Sequence, residues 1–258
     1  MRVHAALLLL ALPALCAADW TPPAQPDPRA ILGEAERDTQ ARRYPDALAK
    51  YAWFHEHALD TARGLYGLRL SRALQDWAAL ARDYPPALER LRATREAAAE
   101  QVRQGVGARG YFNEVVAIDR VLGQDAATRE LFHWLDAHRN DIAAQVYDQA
   151  QAALVRGGEY ALCGKYLAPD QTLARALEQY RITLQLAAGA DDEAALREFA
   201  RHTLGNKLGL LVGLLALNHR PDDANRIAAA ALQEWNDPGF RALLGQALGG
   251  RLPEPWPL

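Results

Sequence analysis

Histidine, carboxylate and cysteine side chains are the groups best suited to chemistry at neutral pH, and this chain scatters them. His55-Glu56-His57 sets two imidazoles two positions apart, about 200° around a helix, so they cannot close on one metal ion. A His-Glu-x-x-His zinc pattern is missing because position 59 is leucine. His133, Asp136 and His138 come nearer to one face, yet Trp134 and Leu135 beside them read as an ordinary amphipathic helix, and no metal site is assigned. No Gly-x-Ser-x-Gly is present, and serine is nearly missing, Ser71 standing isolated on a helix. Cys163, among Leu162 and Tyr166, reads as a buried structural thiol, since a nucleophile wants a base beside it. Asp191, Asp192 and Glu193 read as a helix N-terminus favoured by the macrodipole. Acid and base residues distant in sequence could still converge, so catalysis stays open, although the balance is against an enzyme and no motif calls for a cofactor.

Phosphate and nucleic-acid chemistry fare no better. Gly105-Val106-Gly107-Ala108-Arg109-Gly110 is glycine-rich, but it lacks the Gly-Lys-Ser/Thr ending and no buried strand precedes it. It reads instead as a flexible connection. The 29 basic and 32 acidic residues leave a formal charge of −3, and the arginines are interspersed with acids, so no basic stripe is available to a phosphate backbone. Lysine occurs only at Lys50, Lys165 and Lys207.

The elements that position these groups are all predicted helices. Tyr44-Pro45-Asp46-Ala47-Leu48 has an echo forty residues on, Tyr84-Pro85-Pro86-Ala87-Leu88. Proline fixes φ and lacks an N–H, so each Tyr-Pro marks a helix start. After the first, Ala47, Leu48, Tyr51, Phe54, Ala58 and Leu59 form one apolar stripe at spacings of three and four. Before it, Ile31, Ala35 and Ala41 predict a helix opening at Asp27-Pro28, an N-cap followed by an N1 proline. Val115, Val116, Ile118, Val121 and Leu122, then Leu131, Phe132, Trp134 and Leu135 predict two more helices, capped near Asn113 and Asp125. Each such side chain contributes about 1.5 to 3 kcal/mol when buried, so these positions, like Trp53, Trp77 and Trp235, belong to a core. Leu208 to Leu217 is the most apolar stretch after the N-terminus. As a helix it is only about 15 Å long, half a bilayer's thickness, and reads as a buried central helix. Gly205, Gly209 and Gly213 would let another helix approach it closely.

Tyr-x-x-Ala-Leu-x-x-Tyr at a turn between two short helices resembles the second half of a tetratricopeptide repeat, with Ala47 as the small residue where the helices cross. A second copy aligned on Ala87 supplies Leu74, Ala78, Tyr84, Leu88 and Leu91. A third, aligned on Ala224, supplies Leu208, Leu211, Val212 and Leu215, then Ala228, Ala231 and Leu232; it departs from the pattern at the turn, where Pro221 replaces the aromatic residue. Gly158-Glu159-Tyr160-Ala161-Leu162 could be the turn of a fourth. The copies lie forty residues apart where the family spaces them by about 34, and Ala35, Gln75 and Val212 replace the usual first-helix glycine. The resemblance implies an all-α fold of antiparallel helix pairs, a right-handed solenoid or an irregular α-α superhelix.

Along the chain, residues 1 to 18 read as a secretory signal peptide: Arg2, an apolar run from Ala5 to Leu15, and a small-residue exit at Cys16-Ala17-Ala18. Cleavage near Ala18 leaves a periplasmic or secreted chain with no transmembrane span and with Cys163 as its one cysteine. Residues 19–27 are expected to be a proline-rich tether, 28–104 tetratricopeptide-like repeats, 111–249 further helical repeats packed on the first part, and 250–258 a proline-rich tail. The expected function is an exported scaffold for a protein or peptide partner. In the resembled family the first helices of successive repeats line a groove, which implies Arg29, Glu36 and Gln40, then Arg69, Arg72 and Asp76, as partner-binding residues. Equally, these could be a solvated face with internal ion pairs. The alternatives are an envelope enzyme acting on polysaccharide through two facing carboxylates about 5 to 10 Å apart, or a purely structural envelope component.

Overall fold

The computed structural model describes residues 20–255; the expected signal peptide lies outside them. Among the described residues every regular element is helical. The chain divides after Glu96 into two compact units. This division falls inside a helix, Pro85–Gln104, a few residues before the Gly105–Gly110 break where the sequence suggested a boundary.

The first unit begins with α1 (Pro28–Gln40) and α2 (Tyr44–Thr61). Asp27 caps α1 by accepting from the Arg29 N–H at 2.9 Å. Arg42 turns the chain in the left-handed region, φ 59, and a link this short lays α2 back along α1. A 3-10 turn (Arg63–Leu65) and the four-residue α3 (Tyr66–Arg69) then lead to α4 (Arg72–Asp83) and α5 (Pro85–Gln104). The two Tyr-Pro sites meet: the Tyr44 and Tyr84 rings lie 5.8 Å apart between centroids, and Ala47 and Ala87 are both fully buried. Trp77 donates its indole N–H to the Ala87 carbonyl at 3.1 Å, which joins α4 to the start of α5. Trp20, in the proline-rich stretch, packs edge-on against Trp53 with centroids 6.4 Å apart.

The second unit holds α6 (Ala108–Val121), α7 (Asp125–His138), α8 (Asn140–Arg156), α9 (Tyr160–Tyr166), α10 (Pro169–Ala187), α11 (Glu193–Leu217), α12 (Pro221–Glu234) and α13 (Pro238–Leu248). One core gathers Phe112, Val115, Leu131, Phe132, Leu135, Val146 and Leu154 with Cys163; a second gathers Leu208, Leu211, Val212 and Leu215 with Ile227, Phe240 and Leu244. The apolar half of α11 is buried as expected, and no helix among the described residues is long and apolar enough to cross a membrane. A Cβ on Gly209 would meet Leu243 of α13 at 2.5 Å and Pro253 at 3.2 Å, and one on Gly213 would meet Leu252 at 2.4 Å. The close approach is therefore made by α13 together with the C-terminal segment, which Asn206 also holds through the Glu254 carbonyl at 2.7 Å.

Candidate functional site

The six sequence-predicted residues all fall in the first unit, but they do not make an open row of free groups. Arg29 and Gln40 are exposed on α1. Arg69 is held inward, donating to the His55 carbonyl and lying 3.0 Å from its Nε2. Arg72 pairs with Glu36 of α1 at 3.1 Å and with Asp76 one turn along α4 at 3.5 Å. Glu36, Arg72 and Asp76 are thus one ion-pair cluster linking α1 to α4, the internally paired face that the sequence left open. Its electrostatics are uneven. Loss of water and the Glu36 carboxylate push the Asp76 carboxyl above its ordinary range, only partly offset by Arg72, and Asp76 Oδ2 is out of water without a hydrogen bond. Burial pushes Tyr51, beside this cluster, up to about 12.

Beneath α1 and α2 lies a second charged group that the sequence did not single out. Asp38, 4 % exposed, accepts from Lys50 of α2 and from Arg43 in the link, and Lys50 also reaches Glu34 at 3.3 Å. Burial opposes the Asp38 charge, but the two cations bonded to it override that and hold its carboxyl below the usual range. The Lys50 ammonium lies 5.7 Å from the Trp20 ring centroid. Such a closed network orders helices and offers nothing to a ligand.

The second unit holds a polar-lined cavity of ≈ 490 Å³, walled mainly by α6, α8, α10 and α11 with residues of α7 and α9 at its side, within the size range of small-ligand pockets. Helix geometry builds its walls. Residues four apart drift only about 40° around a helix, so Gln171, Arg175, Gln179 and Thr183 form one polar stripe on α10, and Thr203 and Lys207, with Phe199 one turn before them, form a mixed stripe on α11. From α8 come Tyr147, Asp148 and Gln151, and from α6 Arg109 and Asn113. Sequence reasoning missed these stripes, although their four-residue spacing is there to be read. Amides and hydroxyls carry no titratable or metal-binding signature, and only that spacing could have marked them.

The carboxylates lining this cavity are already engaged. Asp148 pairs with Arg109 at 2.8 Å, and Asp125 with Arg156 at 2.5 Å. Arg120 stays exposed overall, yet desolvation of its guanidinium and the neighbouring Arg156 hold it below its ordinary value. Gln149 spends its amide N–H on the Arg109 carbonyl at 2.9 Å, which leaves its Oε1 buried and without a hydrogen bond, as is Thr203 Oγ1. Tyr147 and Tyr166 stack 5.6 Å apart, and Gln151 donates to the Tyr147 hydroxyl at 2.9 Å.

The other chemistry-bearing side chains are tied up in packing. Cys163 is buried, and desolvation pushes its thiol up to about 11, which makes it a poor nucleophile. His133 pairs with Glu159 at 2.5 Å, while Asp136 takes Lys165 and Tyr166, so each is engaged with its own partners. Gly105, at φ 80, packs against Arg139, which donates to the Arg103 carbonyl at 3.0 Å; that loop is a structural joint. The chain matches no known protein-family model, no curated protein and no solved structure.

Proposed function

We propose that this chain is an exported helical scaffold that binds a peptide segment of a partner protein, and that the cavity walled by α8, α10 and α11 is where the segment lies. One observation carries the proposal: the cavity is lined by amides, hydroxyls, arginines and tyrosines, while both carboxylates on its wall are consumed in ion pairs. Amide side chains can accept from peptide N–H groups and donate to peptide carbonyls at once, and tyrosine supplies contact area at low entropy cost. Acid–base hydrolysis needs carboxylates free to exchange protons. Export is supported by the Arg2, Ala5–Leu15 and Cys16-Ala17-Ala18 pattern.

A photo-crosslinking amino acid at Gln179, inside the cavity, and at Gln40, on the exposed face of α1, tests this. Irradiation in an envelope fraction is expected to join a partner polypeptide to position 179 and none to position 40. Adducts from position 40 alone would move the site to the first unit, and adducts from neither would end the proposal.

A second reading, an envelope enzyme, draws on Asp76, whose carboxyl is raised beside Glu36. Paired carboxyls with different proton affinities are what glycoside hydrolysis uses. Here Arg72 pairs with both, and this makes binding the better supported function.

A further inference from the structure

Charge in the cavity runs against that of the whole chain. The chain carries a formal −3, yet the cavity wall brings together Arg109, Arg120, Arg156, Arg175 and Lys207 against Asp125 and Asp148 only. Arg109 and Arg156 have their partners. Arg175 of α10 and Lys207 of α11 make no hydrogen bond or ion pair among the described residues. An unpaired arginine on an exposed helix is ordinary, but Lys207 is half-buried, and a partly desolvated ammonium is costly without an anion. One turn from it, the Thr203 hydroxyl is out of water and has no hydrogen bond. A hydroxyl donates well to a carboxylate. On α8, Gln149 Oε1 is likewise out of water and has no hydrogen bond.

We infer that the α10/α11 wall of this cavity is an acid-recognition subsite, in which Arg175, Lys207 and Thr203 take the side-chain carboxylate of an aspartate or glutamate in the bound peptide. The inference rests on the peptide-binding function proposed above and adds a sequence preference to it. Gln149 then takes a backbone N–H of the same segment, so charge and main chain are recognised by different helices. An acidic segment entering an excess of positive charge is also steered toward it.

The test is selection of displayed random heptapeptides on the purified full chain. The peptides are fused through their C-termini, so that no terminal carboxylate contributes. Selected peptides are expected to be enriched in Asp or Glu at a fixed position. They should bind the Arg175→Gln, Lys207→Gln double variant roughly tenfold more weakly, about 1.4 kcal/mol. The charge-preserving exchange Arg175→Lys, Lys207→Arg is expected to keep binding within about threefold, which separates loss of charge from loss of folding. Peptides selected without an acidic preference, or bound equally by the double variant with its circular dichroism unchanged, would overturn the subsite and leave peptide binding standing. Selection of no peptide at all would overturn peptide binding itself, and the subsite with it.

Discussion

Two aspartates of the first unit, Asp38 and Asp76, have opposite fates because of what faces them. Asp38 meets Lys50 and Arg43 and is held in its charged form; Asp76 loses water and meets Glu36, which disfavours its charge. A carboxyl raised in the folded state binds its proton more tightly there than in the unfolded chain. Its ionisation therefore erodes stability as pH climbs from the ordinary carboxylate range through the raised folded value. Asp76→Asn removes that penalty. Its melting temperature should exceed that of the wild type by about 1 to 2 °C at pH 7, the figure being kept small because Asp76 keeps about a third of its side-chain surface and Arg72 already offsets part of the repulsion. The difference should shrink as pH falls toward the ordinary carboxylate range, where the wild-type Asp76 takes up its proton. Melting curves at pH 7 and in that range decide it, and a variant less stable than the wild type at pH 7 would show that the Arg72 pair outweighs the repulsion. Of the three clustered residues, only Arg72 and Asp76 were legible as neighbours, four apart on one helix; Glu36 joins them from thirty-six positions away, through packing that no local spacing encodes.

Among the elements, helix starts were the most legible feature. Pro28, Pro45, Pro85, Pro169, Pro221 and Pro238 each fall in the first turn of a helix, because a residue with fixed φ and no N–H loses nothing there. What the glycines of α11 face could not be read the same way, since spacing announces a close approach without naming its partner. A methyl group added at Gly205 would meet only Phe240, at 3.8 Å, an ordinary contact, whereas Gly209 and Gly213 press on Leu243, Leu252 and Pro253. Gly205→Ala is therefore expected to be tolerated, with helix propensity favouring alanine by up to about 1 kcal/mol. Gly213→Val should instead displace Leu252, with an overpacking cost of about 1 to 3 kcal/mol. It should also free the C-terminal segment that Asn206 tethers through Glu254. Carboxypeptidase trimming of the two variants separates them: faster trimming of Gly213→Val alone is the expected result, and equal rates would mean that the segment is not held by this contact. The cavity stripes on α10 and α11 illustrate the same limit, because their polar residues were readable but the α8 wall of the same cavity was not.

At the scale of the molecule, the carboxyl that its partners hold low is buried in the first unit and those held low in the second are better hydrated, and acid should expose the difference. Asp38 is almost fully buried, with two cations bonded to it. In the second unit the lowered carboxyls, Asp136, Asp141, Glu193, Asp223 and Glu234, keep more contact with water, where screening weakens their pairs. A carboxyl lowered in the folded state contributes stability that is complete above its ordinary value and is lost as pH falls toward the folded one. Protonating Asp38 leaves Lys50 buried against Glu34 alone, and breaking such a buried pair costs about 3 to 5 kcal/mol. The first unit should therefore open first on titration from pH 5 to pH 2. Hydrogen exchange is expected to show loss of amide protection in α1 and α2 while α8 and the apolar half of α11, sealed by leucine and valine, stay protected. A Lys50→Met variant, which leaves Asp38 with Arg43 only, should move that first opening to higher pH. Loss of protection in both units at one pH, unchanged by Lys50→Met, would mean that the Asp38 network does not set the acid limit of the first unit.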